Sequence, residues 1–202
     1  MIYTIGHSTL TKEEFSNLTT DIDNPIIVDI RSHPTSKWPQ FYKEAMEQWL
    51  PTYGIKYEWM SGLGGWRDDH KHLQEELATV DVDLKYYTKG VFPKQRIAKR
   101  RKQSTTGPEW YIFGLWDYQW FMRLDEFILS ADVLIKRSYD ENLIIMCCEL
   151  LPWKCHRSMV SDYLAYKGVE AIHLQPKMKH HFEMLGNRLD RYHPDVKAAW
   201  GY

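Results

Sequence analysis

Between Cys147 and Arg157 the chain gathers three thiols, a carboxylate, an imidazole and a guanidinium: Cys147, Cys148, Glu149, Cys155, His156 and Arg157. A cation beside a thiol favours the thiolate, the form that attacks electrophiles, exchanges disulfides and ligates soft metals. Cys155 is therefore a candidate nucleophile or redox group, as is Cys147, with Glu149 and His156 as acid/base candidates. Three further groups have comparable potential. His7 and Ser8 follow a short apolar run, Asp29, Arg31 and Ser32 follow another, and Gly64, Gly65 and Arg67 follow a third. His7 and Asp29 complete the candidate catalytic set. Ser8, Arg31, Ser32, Gly64, Gly65, Arg67 and Arg157 form the candidate substrate-binding set, because guanidinium groups and bare glycine backbone together can hold an anion.

Such residues need elements to position them. Leu143 to Cys148 is short and wholly apolar, as a strand covered on both faces is. After Pro152, Met159, Val160, Tyr163 and Leu164 recur at helical spacing until Gly168, and Val169 to Leu174 reads as another strand. A crossover of this kind makes its two strands parallel. A helix then starts near Cys155, where its dipole favours a thiolate. Ile2 to Gly6 and Ile26 to Ile30 are strand-like, and Ile55, Tyr57 and Trp59 alternate as in a half-buried strand. Thr11 to Glu14 makes a capping box with Leu10 and Phe15 as its staple, so a helix begins at about Lys12. Pro39 to Leu50 carries a helical stripe ending at Pro51 and Gly54, and Phe121 to Ile135 carries another. The expected fold is α/β, a mostly parallel sheet flanked by helices in three layers. Each reactive group then leaves the end of a different strand, and all meet on the rim where parallel sheets bind ligands.

With 202 residues the chain suits one α/β domain over 1–175, with a basic, Trp-rich insertion at about 68–108 and a C-terminal helical tail over 176–202. A formal charge of −1 gives no overall attraction to nucleic acid or membrane. No apolar run approaches the roughly 20 residues that a membrane helix needs. Three cysteines make no disulfide framework and fit a reducing, cytoplasmic setting. The nine tryptophans, several of them between Trp110 and Trp120, read as core packing.

These motifs resemble the family catalogued as domain of unknown function 488. They run in order as TIGHS (Thr4 to Ser8), VDIRSHPTS (Val28 to Ser36), PQF (Pro39 to Phe41), GIKY (Gly54 to Tyr57) and LGGWR (Leu63 to Arg67). MCCELLPWKCHRSMVSDYLAYKGV (Met146 to Val169) and His173-Leu174 complete the series, which reaches nearly to the end of the expected domain. The resemblance implies an α/β domain and no particular reaction. Strand alternation lets one of Cys147 and Cys148 reach the rim, and the resemblance assigns that place to Cys147. A weaker similarity joins Asp29-Ile30-Arg31 and the cysteine loop to rhodanese-like sulfurtransferases and related phosphatases. The loop to Arg157 is longer than theirs.

The leading expectation is an enzyme acting on an anionic, nucleotide-like or phosphate-bearing substrate. A second reading is nucleic-acid binding or modification through the basic run Lys94, Arg96, Lys99, Arg100, Arg101 and Lys102. A third is a zinc-stabilised module. His7, Cys147, Cys155, His156 and His173 are suitable ligands for one, although two cysteines separated by seven residues and followed at once by histidine match no standard zinc spacing.

Overall fold

A computed structural model describes residues 1–65, 118–176, 182–183, 192 and 194–201. Its centre is a sheet of six strands: β1 (Ile2–Gly6), β2 (Ile26–Asp29), β3 (Lys56–Trp59), β4 (Leu143–Cys147), β5 (Ala171–Leu174) and β6 (Phe182–Glu183). They lie in the order β3-β2-β4-β1-β5-β6. The first five are parallel to their neighbours, and β6 closes one edge antiparallel to β5.

The described helices are α1 (Lys12–Asn17), α2 (Lys43–Trp49), α3 (Asp125–Arg137), α4 (Arg157–Tyr166) and α5 (Pro194–Ala199). At α1 both halves of the capping box form: the Thr11 hydroxyl accepts from Glu14 N, and the Glu14 carboxylate accepts from Thr11 N. The stripe expected over Pro39 to Leu50 divides into a 3-10 turn (Pro39–Phe41) and α2. Helix α3 carries Asp125 and Glu126 in its first turn and Lys136 and Arg137 in its last, complementing its dipole.

Alternation along the strands feeds two cores, one on each face of the sheet. Leu143, Ile145 and Cys147 of β4 join Phe127, Ala131 and Leu134 of α3 and Met159, Val160, Tyr163 and Leu164 of α4. Ile144 and Met146 face the other way, toward Phe15 of α1, Met46 and Trp49 of α2, and Phe41. The architecture is thus the expected three-layer α/β fold.

From β1 and β2 the chain crosses to the face covered by α1 and α2, whereas from β4, which lies between them, it crosses to the face of α4. The carboxyl ends of adjacent strands whose connections leave in opposite directions are where a ligand crevice is expected in such sheets. Backbone pairing continues there past the strand ends, with the His7 N–H donating to Cys147 O and the Ser8 N–H to Cys148 O.

The C-terminal segment does not end loosely. Tyr192, Val196 and Trp200 are buried in the α3/α4 core, and the Trp200 indole N–H donates to Met122 O at 3.0 Å. A tail of two dozen residues with few apolar positions looks unable to anchor itself, but one large aromatic among Tyr163, Tyr166 and Tyr192 is sufficient. The expected insertion at 68–108 lies outside the described residues. Among the described residues, no helix is long and apolar enough to cross a membrane.

Candidate functional site

The cysteine loop is shaped by an arginine. After β4 the chain turns through a 3-10 segment (Pro152–Lys154) before α4 begins at Arg157. The Arg157 guanidinium, almost fully buried, reaches back to donate to Glu149 O and to Leu150 O, the latter at 2.7 Å. This folds the loop so that Cys155 and His156 return to the end of β4. Gly6 allows it: a Cβ there would stand 1.8 Å from Glu149 O and 2.6 Å from an Arg157 nitrogen.

Cys147 Sγ and Cys155 Sγ each lie 3.8 Å from His156 Nδ1, and the three atoms are all within 4.8 Å of one another. The imidazole is held from two sides. A Cβ on Gly65 would meet Nδ1 at 2.5 Å, and the Tyr118 ring packs 4.9 Å away with its hydroxyl donating to Leu63 O at 2.8 Å. His156 Nε2 is buried without a hydrogen-bond partner.

All three cysteines are free, but their exposures reverse one expectation: Cys147 is buried and Cys148 reaches the surface. Cys147 is still inside the sheet, paired with Gly6, and its side chain belongs to the α3/α4 core. Cys148 lies one residue past the last pair, with its Sγ 3.9 Å from that of Cys147. Hydrogen bonding to Cys148 and Cys155, with burial, raises the Cys147 thiol well above the ordinary value. Burial opposes the Cys155 thiolate, yet the Cys147 thiol, His156 and Arg157 together hold it well below that value. Cys148 is lowered too, chiefly by its bond with Cys147.

A second network lies at the end of β2. Asp29 and Arg31 are both buried, with Arg31 Nε 2.8 and 3.0 Å from the two Asp29 oxygens and Nη2 2.5 Å from Oδ2. Tyr57 OH adds a bond to Oδ2 at 2.8 Å. The remaining Arg31 donors go to Thr35 O, Phe41 O and His7 Nε2. Arg31 is therefore spent on the protein and is not an open anion ligand. Asp29 is its counter-ion.

His7 Nδ1 lies 3.0 Å from Ser8 O, a contact that assigns the proton to Nδ1, and the ring stacks on Phe41. Burial and Arg31 depress its pKa to about 4, so it is neutral near pH 7. Ser8 adopts φ 43°, unusual for a residue with a side chain, while its N–H donates to Cys148 O. Gly64 contributes closeness: its N–H donates to Ser61 O, and a Cβ would strike Ser32. His173 is removed from the site, its Nδ1 bonded to Thr4 Oγ1 within the sheet. Arg67 and the basic run Lys94 to Lys102 lie outside the described residues.

Contacts thus link the expected groups along one rim, from Gly65 through His156 and Cys147 to His7, Arg31 and Asp29. Tyr118, which clamps His156, is the member that sequence reasoning missed. It lies 38 positions from its partner in an aromatic-rich stretch, and nothing local marks it.

The model of the family described as domain of unknown function DUF488 matches residues 11–99. The match spans less than half of the 202 residues, and over that stretch the sequence is similar to this family. No curated protein and no solved structure matches it, so the weaker rhodanese-like similarity gains no support. The matched part of the chain holds Asp29, Arg31, Gly64 and Gly65, while the cysteine loop lies beyond it and rests on its own geometry.

Proposed function

We propose that this protein is an enzyme whose active centre is the thiol–imidazole cluster of Cys147, Cys155 and His156, acting on an anionic, phosphate-bearing substrate in a crevice at the carboxyl ends of β1 and β4. The observation that carries this reading is the convergence of two sulfurs and an imidazole nitrogen at the carboxyl end of β4. The winding of the sheet makes that rim the expected ligand position.

The anionic character of the substrate follows from Arg157. Arg31 is neutralised by Asp29, but the described bonds of Arg157 go to carbonyl oxygens, and its Nε has no hydrogen-bond partner. A buried cation held by dipoles alone leaves a positive potential beside the crevice, which an incoming phosphate would balance. Glu149, which follows Cys148 at the end of β4, remains the acid/base candidate of this reading. Nucleic-acid binding through Lys94 to Lys102 gains no support from the described residues.

Exposed Cys148 serves as a reporter. Its alkylation should slow, and the thermal midpoint should rise, when inorganic phosphate, nucleoside monophosphates or nucleoside triphosphates occupy the crevice. If millimolar concentrations of these compounds change neither the labelling rate nor the midpoint, a phosphate-bearing substrate is excluded.

A further inference from the structure

We propose that Cys147, Cys155 and His156 are ligands of a zinc-class divalent cation, bound with its fourth position open on the side where Cys148 stands. The inference rests on reading this cluster as the active centre and specifies its chemistry.

Distances are the first argument. Tetrahedral zinc with bonds of about 2.3 Å to sulfur and about 2.0–2.1 Å to nitrogen has ligand-to-ligand edges of roughly 3.5–3.8 Å. Both sulfur-to-Nδ1 separations are 3.8 Å, and the two sulfurs are within 4.8 Å of each other. Small side-chain adjustments would close three ligands around one ion. Neutral thiols donating to an imidazole nitrogen give only weak bonds at such lengths, so the metal-free cluster gains little from gathering two buried thiols and a half-buried imidazole.

The imidazole is the second argument. Gly65 and Tyr118 pack against it from two directions and keep Nδ1 aimed at the sulfurs. Nε2 has no acceptor and no donor facing it. In the tautomer that ligates through Nδ1, Nε2 carries the proton, and among the described residues no hydrogen bond opposes that choice. A histidine confined so that one nitrogen serves two sulfurs is positioned as a ligand would be.

Charge is the third. Two thiolates and a neutral imidazole balance a divalent ion. The ligand pattern Cys-x7-Cys-His departs from standard zinc spacings because the 3-10 turn at Pro152–Lys154 and the Arg157 clasp fold the intervening loop back on itself.

The open position gives the site its use. Cys148, although 3.9 Å from Cys147 Sγ, stands outside the mutually close group. Zinc with three protein ligands and a vacant fourth position can bind and polarise a substrate oxygen or activate water. A phosphate oxygen in the crevice would meet it there.

The test uses the full chain, reduced and reconstituted with zinc under anaerobic conditions and then freed of excess metal. One zinc per chain is expected, and the cobalt-substituted protein should show thiolate charge-transfer bands with the strong visible absorption of a tetrahedral site. Cys155→Ser and His156→Ala should lose stoichiometric metal, whereas Cys148→Ser should keep both the metal and the spectrum. Absence of bound metal in the reduced wild-type chain would overturn the proposal. Metal loss in a folded Cys148→Ser protein would overturn the open position by revealing a fourth cysteine ligand. Should the variants fail to fold, titrating wild-type protein with an organomercurial and detecting released zinc with a chromophoric chelator gives the same answer. If zinc is bound but no phosphate compound protects Cys148, the substrate reading fails and the metal site stands; protection without metal has the opposite meaning.

Discussion

Asp29→Asn is the sharpest probe of whether the arginine beside the crevice is structural. The wild-type carboxylate takes three contacts of 3.0 Å or less from the Arg31 side chain, one from the Arg31 N–H at 3.1 Å and one from Tyr57 OH. Both partners of the ion pair are at most 3 % exposed. The asparagine keeps the shape but removes the charge, which leaves a buried guanidinium facing Thr35 O, Phe41 O and a neutral His7. Breaking one side of a buried pair costs about 3–5 kcal/mol. For a chain of this size that is a fall in thermal midpoint of roughly 6–20 °C. Tyr57→Phe removes a single bond from a carboxylate that keeps its others, and should cost no more than about 1.5–3 kcal/mol. Urea unfolding at pH 7 would give both values, provided that the slope with denaturant is unchanged. A cost under about 1 kcal/mol for Asp29→Asn, well below the range for a broken buried pair, together with weakened phosphate binding, would refute the reasoning. It would mean that Arg31 can turn toward a ligand.

Gly65→Ala should fold and yet bind metal poorly, since its methyl group would displace the imidazole from 2.5 Å away; zinc content alongside circular dichroism checks this. His7 makes stability depend on pH in one direction. Its folded pKa of about 4 lies below the 6.5 of an exposed histidine, so between these values the unfolded chain binds a proton that the folded chain excludes. Stability should therefore fall as pH drops through that window, by about 3 kcal/mol in all. His7→Gln should flatten that part of the profile in urea unfolding from pH 7 to pH 4. Trp200→Ala should cost about 3–5 kcal/mol through lost packing, and limited proteolysis should then cut near the C-terminus first.

The elements were legible where one physical constraint dominates. Buried parallel strands must be apolar throughout, and Ile26 to Val28 and Leu143 to Met146 are; Thr11 and Glu14 can cap only one helix start. The rim followed from these strands, because side chains at their carboxyl ends have no other place to go. What remained illegible depends on contacts across the chain. The difference between Cys147 and Cys148 is a single position of register against Gly6, which alternation alone leaves open. Whether Arg31 faces ligand or protein depends on the loop carbonyls of Thr35 and Phe41, and Tyr118 reaches His156 from a remote segment. The metal geometry was hidden by a loop that folds back only because Arg157 holds it.

The parallel arrangement of β1 to β5 also has a practical consequence for handling the molecule. Because the chemistry occupies the edge where these strands finish, the edge where they begin, approached through residues 19–25, 50–55, 138–142 and 167–170, is the side on which to attach things. A fluorophore or surface tether introduced at exposed Tyr139 would point away from the crevice and leave its mouth unobstructed, giving an oriented sensor layer for whatever compound the crevice takes up.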